Sequence, residues 1–281
     1  MSITFFVRRP HEEIEQDVAH ALDVYCRAVG RESLGLYGDY DGAWKQLDDD
    51  GWSTIRQRLS GKRSANIMLR EGRDSELGYS FHYRGVDFAN PHVMNLIPDA
   101  TSVVSFWLPT EFLSEHGPRR VRDLALELGA GLPFNSGQAG LSFLMMSWLS
   151  SNTPTIRQLN LRHPGFDIPG VGTLSGELGT RVRAPAWLTF LGQPVLGELG
   201  GAEGLRARLH SPGTTVQELG VDRVVVTLGE WPEAGDLERG DTLPHYRELA
   251  RVLEPWLYTH GKYWGNLTPE ETRRWERRFL D

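Results

Sequence analysis

The spacing of apolar residues over the first thirty positions predicts a strand followed by a helix. Ile3–Val7 is an apolar run that suits a buried strand. Ile14, Val18, Leu22, Tyr25 and Val29 then recur at helical spacing, with acids in the first turns, Arg27 near the end and Gly30 as a stop. Leu34–Gly42, rich in glycine and aspartate, reads as a loop or irregular strand. Trp52, Ile55 and Leu59 predict a short helix closed by Gly61, and Leu77–Arg84 and Val103–Leu108 predict strands. Pro118 opens a further helix whose apolar positions are Val121, Leu124, Ala125 and Leu128. Gly140–Leu149 is almost wholly apolar and predicts a central strand buried on both faces.

The remaining residues repeat this rhythm. Pro185–Leu191 reads as a strand, Ala202–Leu209 as a helix and Arg223–Leu228 as a buried strand. Asp241 or Thr242 is placed to cap a helix with Tyr246, Leu249, Val252 and Leu253 on its apolar side. Thr268-Pro269-Glu270-Glu271 is a capping box with proline at the first helical position, and Trp275 and Phe279 follow on one face. Arg273, Arg274, Arg277 and Arg278 read as a solvated outer face, or as partners for acids of the N-terminal half. Strands and helices are interspersed without regular βα alternation, so the fold class expected is α+β, a mixed or antiparallel sheet packed with helices. One domain over 1–281 is expected, divisible into two similar halves, 1–150 and 151–281, although no residue-level repeat proves a duplication.

Composition narrows the class. The 281 residues are 40% hydrophobic and 24% charged, an ordinary globular balance. No apolar run reaches the roughly 18 residues of a membrane span, and Met1–Pro10 lacks the order of a secretory signal. Cys26 is the single cysteine, so no internal disulfide forms, and it sits beside the apolar helix stripe as a packing residue. Together these features predict a cytoplasmic protein. Net charge is −7. Residues 1–50 hold eleven acids against five bases, leaving 26 acids and 25 bases in the rest. An acidic surface repels phosphate backbones, which argues against nucleic acid as a direct partner; it reads either as an attraction for a basic protein or as a solvated face that aids solubility.

Motifs for chemistry are absent from the sequence. The nine histidines include no helical metal pair, a lone cysteine excludes a cysteine-based zinc finger, and neither a Gly-x-Ser-x-Gly elbow nor a phosphate-binding loop occurs. Gly170-Val171-Gly172 with Gly176 follows prolines and reads as a loop; Gly197–Gly201 reads as a strand–helix turn. No catalytic residue, metal or cofactor is therefore assigned. Of nine tryptophans, Trp107, Trp148 and Trp187 lie in expected strands, whereas Trp44 and Trp231 stand among polar residues, where they read either as interface anchors or as pocket and core packing.

Four segments in order carry a family resemblance: Phe134-Asn135-Ser136-Gly137-Gln138-Ala139-Gly140-Leu141, Arg162-His163-Pro164-Gly165-Phe166-Asp167-Ile168, Trp187-Leu188-Thr189-Phe190-Leu191-Gly192, and Pro232-Glu233-Ala234-Gly235-Asp236-Leu237 followed by Tyr246 and Pro255. Over residues 100–260 the chain resembles the type VI immunity family, formerly a domain of unknown function. The resemblance implies an antidote to a toxin delivered by bacterial type VI secretion, commonly a nuclease. It implies a protein that blocks its partner and makes no bonds of its own. It brings no catalytic residues. The expected contact residues are Asp39, Asp41, Asp48, Asp49, Asp50 and Trp44, on a projecting loop that imitates phosphate for a basic nuclease surface. Two other readings stay open: an enzyme whose carboxylates and histidines meet only in the fold, and an adaptor of a secretion apparatus.

Overall fold

The structure, a computed structural model, describes residues 1–61, 63–72, 78–143, 153–168, 170–259 and 267–281. Through residue 134 its elements are β1 (Ser2–Val7), α1 (His11–Val29), β2 (Leu36–Gly38), β3 (Trp44–Gln46), α2 (Asp49–Leu59), β4 (Ala65–Arg70), β5 (Ser80–Gly85), α3 (Pro91–Leu96), β6 (Ser102–Trp107) and α4 (Thr110–Gly129). Then follow β7 (Ser136–Gly140), α5 (Thr153–Arg162), α6 (Val171–Glu177), β8 (Leu188–Leu191), α7 (Val195–Glu198), α8 (Gly201–Arg206), β9 (Thr214–Glu218), β10 (Val224–Leu228), α9 (Pro244–Leu253) and α10 (Pro269–Glu276). The expected α+β class is what is observed, and every described strand pairing is antiparallel. Two compact units are present, one of residues 2–134 with 170–179, the other of residue 1 with 135–169 and 180–281.

In the first unit the strands run in the order β3-β2-β4-β5-β6-β1. Register builds its core by rows. Leu69, Phe81, Phe106 and Ile3 lie opposite one another across four strands, and Ile67, Tyr83, Val104 and Phe5 form the next row on the same face. All eight are fully buried. Helix α1, packed between α2 and α4, covers this face, with Tyr25 against Phe106 at 5.3 Å between ring centroids. The opposite face of β1 and β6 pairs the buried hydroxyls of Thr4 and Ser105 at 2.8 Å. Helix α6 packs on β5 and β6, where Arg84 reaches the Gly172 carbonyl. The Gly170–Gly176 stretch is thus mostly helix, which corrects the loop reading. Val171, Leu174 and Leu178 recur at helical spacing and are buried, and that apolar face outweighs the glycines. Helix α4 begins earlier than Pro118. Gly117, at φ 75° and ψ 167°, breaks it into two segments, and Pro118 opens the second as expected.

In the second unit the strand order is β7-β8-β10-β9. Tyr246, Leu249, Ala250 and Leu253 of α9 join Val224, Val226 and Leu228 of β10 in one core cluster with Leu196, Leu205 and Phe279. The expected strand over Gly140–Leu149 falls mostly outside the described residues. The strand is Ser136–Gly140, Ser142 makes only an isolated bridge to Asp167, and residues 144–149 with Trp148 lie outside the described residues. Leu77, where another strand was expected to start, also lies outside them. Residues Gly197–Gly201 join two short helices and are not a strand–helix turn. The cap of α9 is neither Asp241 nor Thr242. Leu243, in the left-handed region at φ 49°, holds the cap position because its buried side chain anchors the core and Pro244 disfavours a helical residue before it. The Thr268 capping box is present as expected, and Trp275 and Phe279 are buried.

Arg273 and Arg274 are exposed as expected, but Arg278 departs from the reading of a solvated arginine face. Its side chain is 8% exposed, donates from Nε to the Pro164 carbonyl and lies over Trp275 at 4.3 Å. Burial pushes its guanidinium down to about 10. Asp167, equally buried, accepts from Gln138 and from Arg183 Nη2 at 2.6 Å, with Arg278 Nη2 3.7 Å away. Arg277 pairs with Glu254 and Asp281 instead of with N-terminal acids.

Two predictions follow for stability. Removing one partner of a buried charge network costs about 3 kcal/mol or more, so Asp167→Asn lowers Tm by roughly 10 °C in a calorimetric scan. The guanidiniums of Arg162 and Arg157 hold Asp236 and Glu271 at about 2, below their ordinary values of 3.8 and 4.5. A depressed carboxylate stabilises fully above its unfolded pKa and loses that contribution as pH falls through the folded value. Asp236→Asn and Glu271→Gln therefore flatten the loss of Tm between about pH 4 and pH 2.

Candidate partner interface

The chain from the end of β2 through the first turn of α2 carries all the residues expected to meet a partner. Asp39–Ala43 turns the chain between β2 and β3. The Asp39 amide donates to the Ala43 carbonyl at 2.8 Å and the Gly42 amide to the Asp39 carbonyl at 3.0 Å. Gly42 sits at φ 84°, a conformation that a side chain would strain. Asp41 Oδ1 accepts from the Ala43 amide at 2.9 Å, which tightens the turn further.

Asp39 is not a free charge. Its carboxylate bridges Lys45 and Arg58 and accepts from the Tyr40 amide. The hydrogen bond from Lys45 leads the interactions that hold it down to about 2. Arg58, 7% exposed, also donates from Nη1 to the Gly38 carbonyl at 2.8 Å, and its guanidinium lies over the Tyr40 ring at 4.2 Å. One arginine of α2 thereby fixes both the last residue of β2 and the turn. Tyr40 itself is 66% exposed, a large aromatic surface supported from below.

Asp48 is the N-cap of α2, its Oδ1 accepting from the Gly51 amide at 2.9 Å. Asp49 and Asp50 occupy the first helical turn, where the helix dipole favours negative charge. Both are exposed, and Arg31 approaches Asp49 at 3.8 Å. Arg31 also lies over the Trp52 ring at 4.7 Å. Beside it, a cleft of about 250 Å³ between α1 and α2 is lined by Leu22, Cys26, Trp52, Ile55 and Arg56. Burial pushes the Cys26 thiol up to about 11, in keeping with a packing residue.

The expectation of a single projecting loop is corrected by this geometry. The acids divide between a tight hairpin turn and a helix N-terminus, because a turn needs Asx side chains and a helix start needs a cap. Trp44 lies in β3 and is half-buried, with the Arg70 guanidinium over its ring at 4.2 Å. Trp231 belongs to the other unit and is 46% exposed. Tyr40, Arg31 and Arg58 were not legible as site residues in the sequence; the Arg58 contacts with Asp39 and Tyr40 and the Arg31–Trp52 contact single them out. Among the described residues no three His, Cys, Asp or Glu side chains gather to hold a metal, and no helix is long and apolar enough to cross a membrane.

No curated protein matches the chain. A family described as TsiV, type VI immunity for VRR-NUC, matches residues 17–279. The chain belongs to this family. The TsiV match reaches well beyond residues 100–260 and takes in the hairpin and α2, in a region where the motif resemblance is weakest. A solved structure of a Pseudomonas aeruginosa T6SS protein, PA0821, is similar with a TM-score of 0.81, covering 99% of this chain and 83% of that one at 19% identity. At that identity the likeness shows that this TsiV chain and PA0821 share a fold.

Arg58 is testable as the organiser of the hairpin. Arg58→Leu leaves the Gly38 carbonyl without its donor and costs about 2 kcal/mol. Trypsin then cleaves after Lys45 faster than in the parent protein, while helix content by circular dichroism stays the same. Unchanged cleavage would show that the turn holds without it.

Proposed function

We propose that this chain is an immunity protein that binds a type VI effector carrying a VRR-NUC nuclease and neutralises it by covering the surface that holds nucleic acid. The family match over residues 17–279 carries the reading. It acts in the cytoplasm, by occlusion and without chemistry of its own. A nuclease has to present basic residues to phosphates, and such a surface attracts an acidic protein. Six of the seven net negative charges fall within residues 1–50. Asp41, Asp49 and Asp50 are exposed there, and Tyr40, adjoining Asp41 in the turn, is an exposed aromatic of the kind that anchors interfaces. Asp39 and Asp48 serve the same face indirectly, the first by locking the turn and the second by capping α2. Trp44 supports the hairpin from its half-buried position.

The direct test mixes the purified chain with the effector of its own genome and runs gel filtration and a DNA cleavage assay. Co-elution and intact DNA at equimolar ratio support the reading. Separate elution with undiminished cleavage removes it, and pull-down of delivery components without the toxin domain favours an adaptor. Turnover of a small substrate by the chain alone favours an enzyme.

Charge should act mainly on the rate of encounter. The triple variant Asp41→Lys, Asp49→Lys, Asp50→Lys keeps the parent Tm within a few degrees but associates with the effector about tenfold more slowly at low salt, the gap closing as salt rises. Stopped-flow fluorescence measures both quantities. Equal association rates would move the interface away from this face.

A further inference from the structure

We propose that a cavity between α5 and α10 binds a small carboxylate bearing a neighbouring hydroxyl or amino group. The inference is independent of the reading above and concerns the second unit alone. Asn160 on α5 is 2% exposed, and neither its Nδ2 nor its Oδ1 has a hydrogen-bond partner among the described residues. A buried amide left in that state is destabilising by roughly 1–3 kcal/mol, so its retention calls for a ligand. Asn160 lines a cavity of about 240 Å³.

The rest of the lining fits an anion with a short carbon skeleton. Leu161, Pro164, Leu237 and the Trp275 ring supply an apolar wall. Arg274 and Arg278 supply positive charge. Arg274 is exposed and has no ion pair or hydrogen bond among the described residues, so its guanidinium fork is available at the rim. Arg278 is already oriented, Nε on the Pro164 carbonyl and Nη1 on the Trp275 carbonyl. Arg247 also lines the cavity but is committed to the carbonyls of Thr242 and Asp281. The one carboxylate in the lining, Asp281, is paired with Arg277. A carboxylate would accept from Arg274 and from Asn160 Nδ2, and its hydroxyl or amino neighbour would donate to Asn160 Oδ1. The cavity is below the size usual for cofactors and suits a compact molecule.

Thermal unfolding and calorimetric titration of the full chain with L-malate, against sodium chloride at equal ionic strength, test this. Malate raises Tm by mass action, and inorganic phosphate, which carries no adjoining carbon-bound donor, raises it less. Asn160→Leu raises Tm without ligand, because the unpaired amide is gone, and abolishes the malate response. Arg274→Ala leaves the ligand-free Tm unchanged and weakens malate about tenfold. A lower Tm for Asn160→Leu would give the amide a structural role and overturn the proposal. So would the absence of a malate response in the parent protein, or a response of equal size in both variants.

Discussion

Arg58 occupies the position on which the candidate interface depends. A guanidinium that is 7% exposed has lost most of its water, and the only sufficient replacements are charged or well-aligned acceptors. Here they are the Asp39 carboxylate and the Gly38 carbonyl, with the Tyr37 and Tyr40 rings on its faces. Since these groups belong to β2 and the turn while Arg58 belongs to α2, the hairpin cannot move as an independent loop without leaving a buried cation unpaired. The exposed groups carried on this frame, Tyr40, Asp41 and the first turn of α2, are thus presented in fixed positions. A surface held that way binds with little ordering cost, which is what a tight antidote needs.

A second buried-arginine arrangement organises the other unit by the same logic. Arg183 and Arg278 share Asp167, and Trp275 lies beside both guanidiniums. Such networks add little net stability over apolar packing, yet they penalise any arrangement that separates the partners. They tie Asp167, which precedes α6, to β7 through Gln138 and to the residues just beyond α10 through Arg278. The apolar cluster of α9 and β10 supplies the hydrophobic driving force in this unit.

Elements whose stability is local were legible in the sequence, and those set by distant partners were not. Helix α1, strand β10 and the capping box at Thr268 carry their signals within a few residues, and all three appear as expected. Strand β4 is not legible in the sequence because its burial alternates against neighbours that only register supplies. Arg278 reads as solvent-facing in the sequence because helical position alone does not say that Asp167, 111 residues away in sequence, lies beside it. The acids of residues 39–50 were legible as an acidic cluster, but which of them are free depended on Lys45 and Arg58. The motifs that carried the family resemblance, such as Pro164-Gly165 and Gly235-Asp236, are turn and packing elements. Family membership could thus be read from residues that make no claim about the partner.

Occlusion of a nuclease by the face built from the hairpin and α2 is the central claim, and hydrogen exchange tests it most directly. Amide exchange of the chain alone is compared with that of its complex with the effector. The account predicts slowed exchange concentrated in residues 38–53, with the second unit unchanged. Protection confined to other surfaces, with residues 38–53 exchanging as in the free chain, would contradict it.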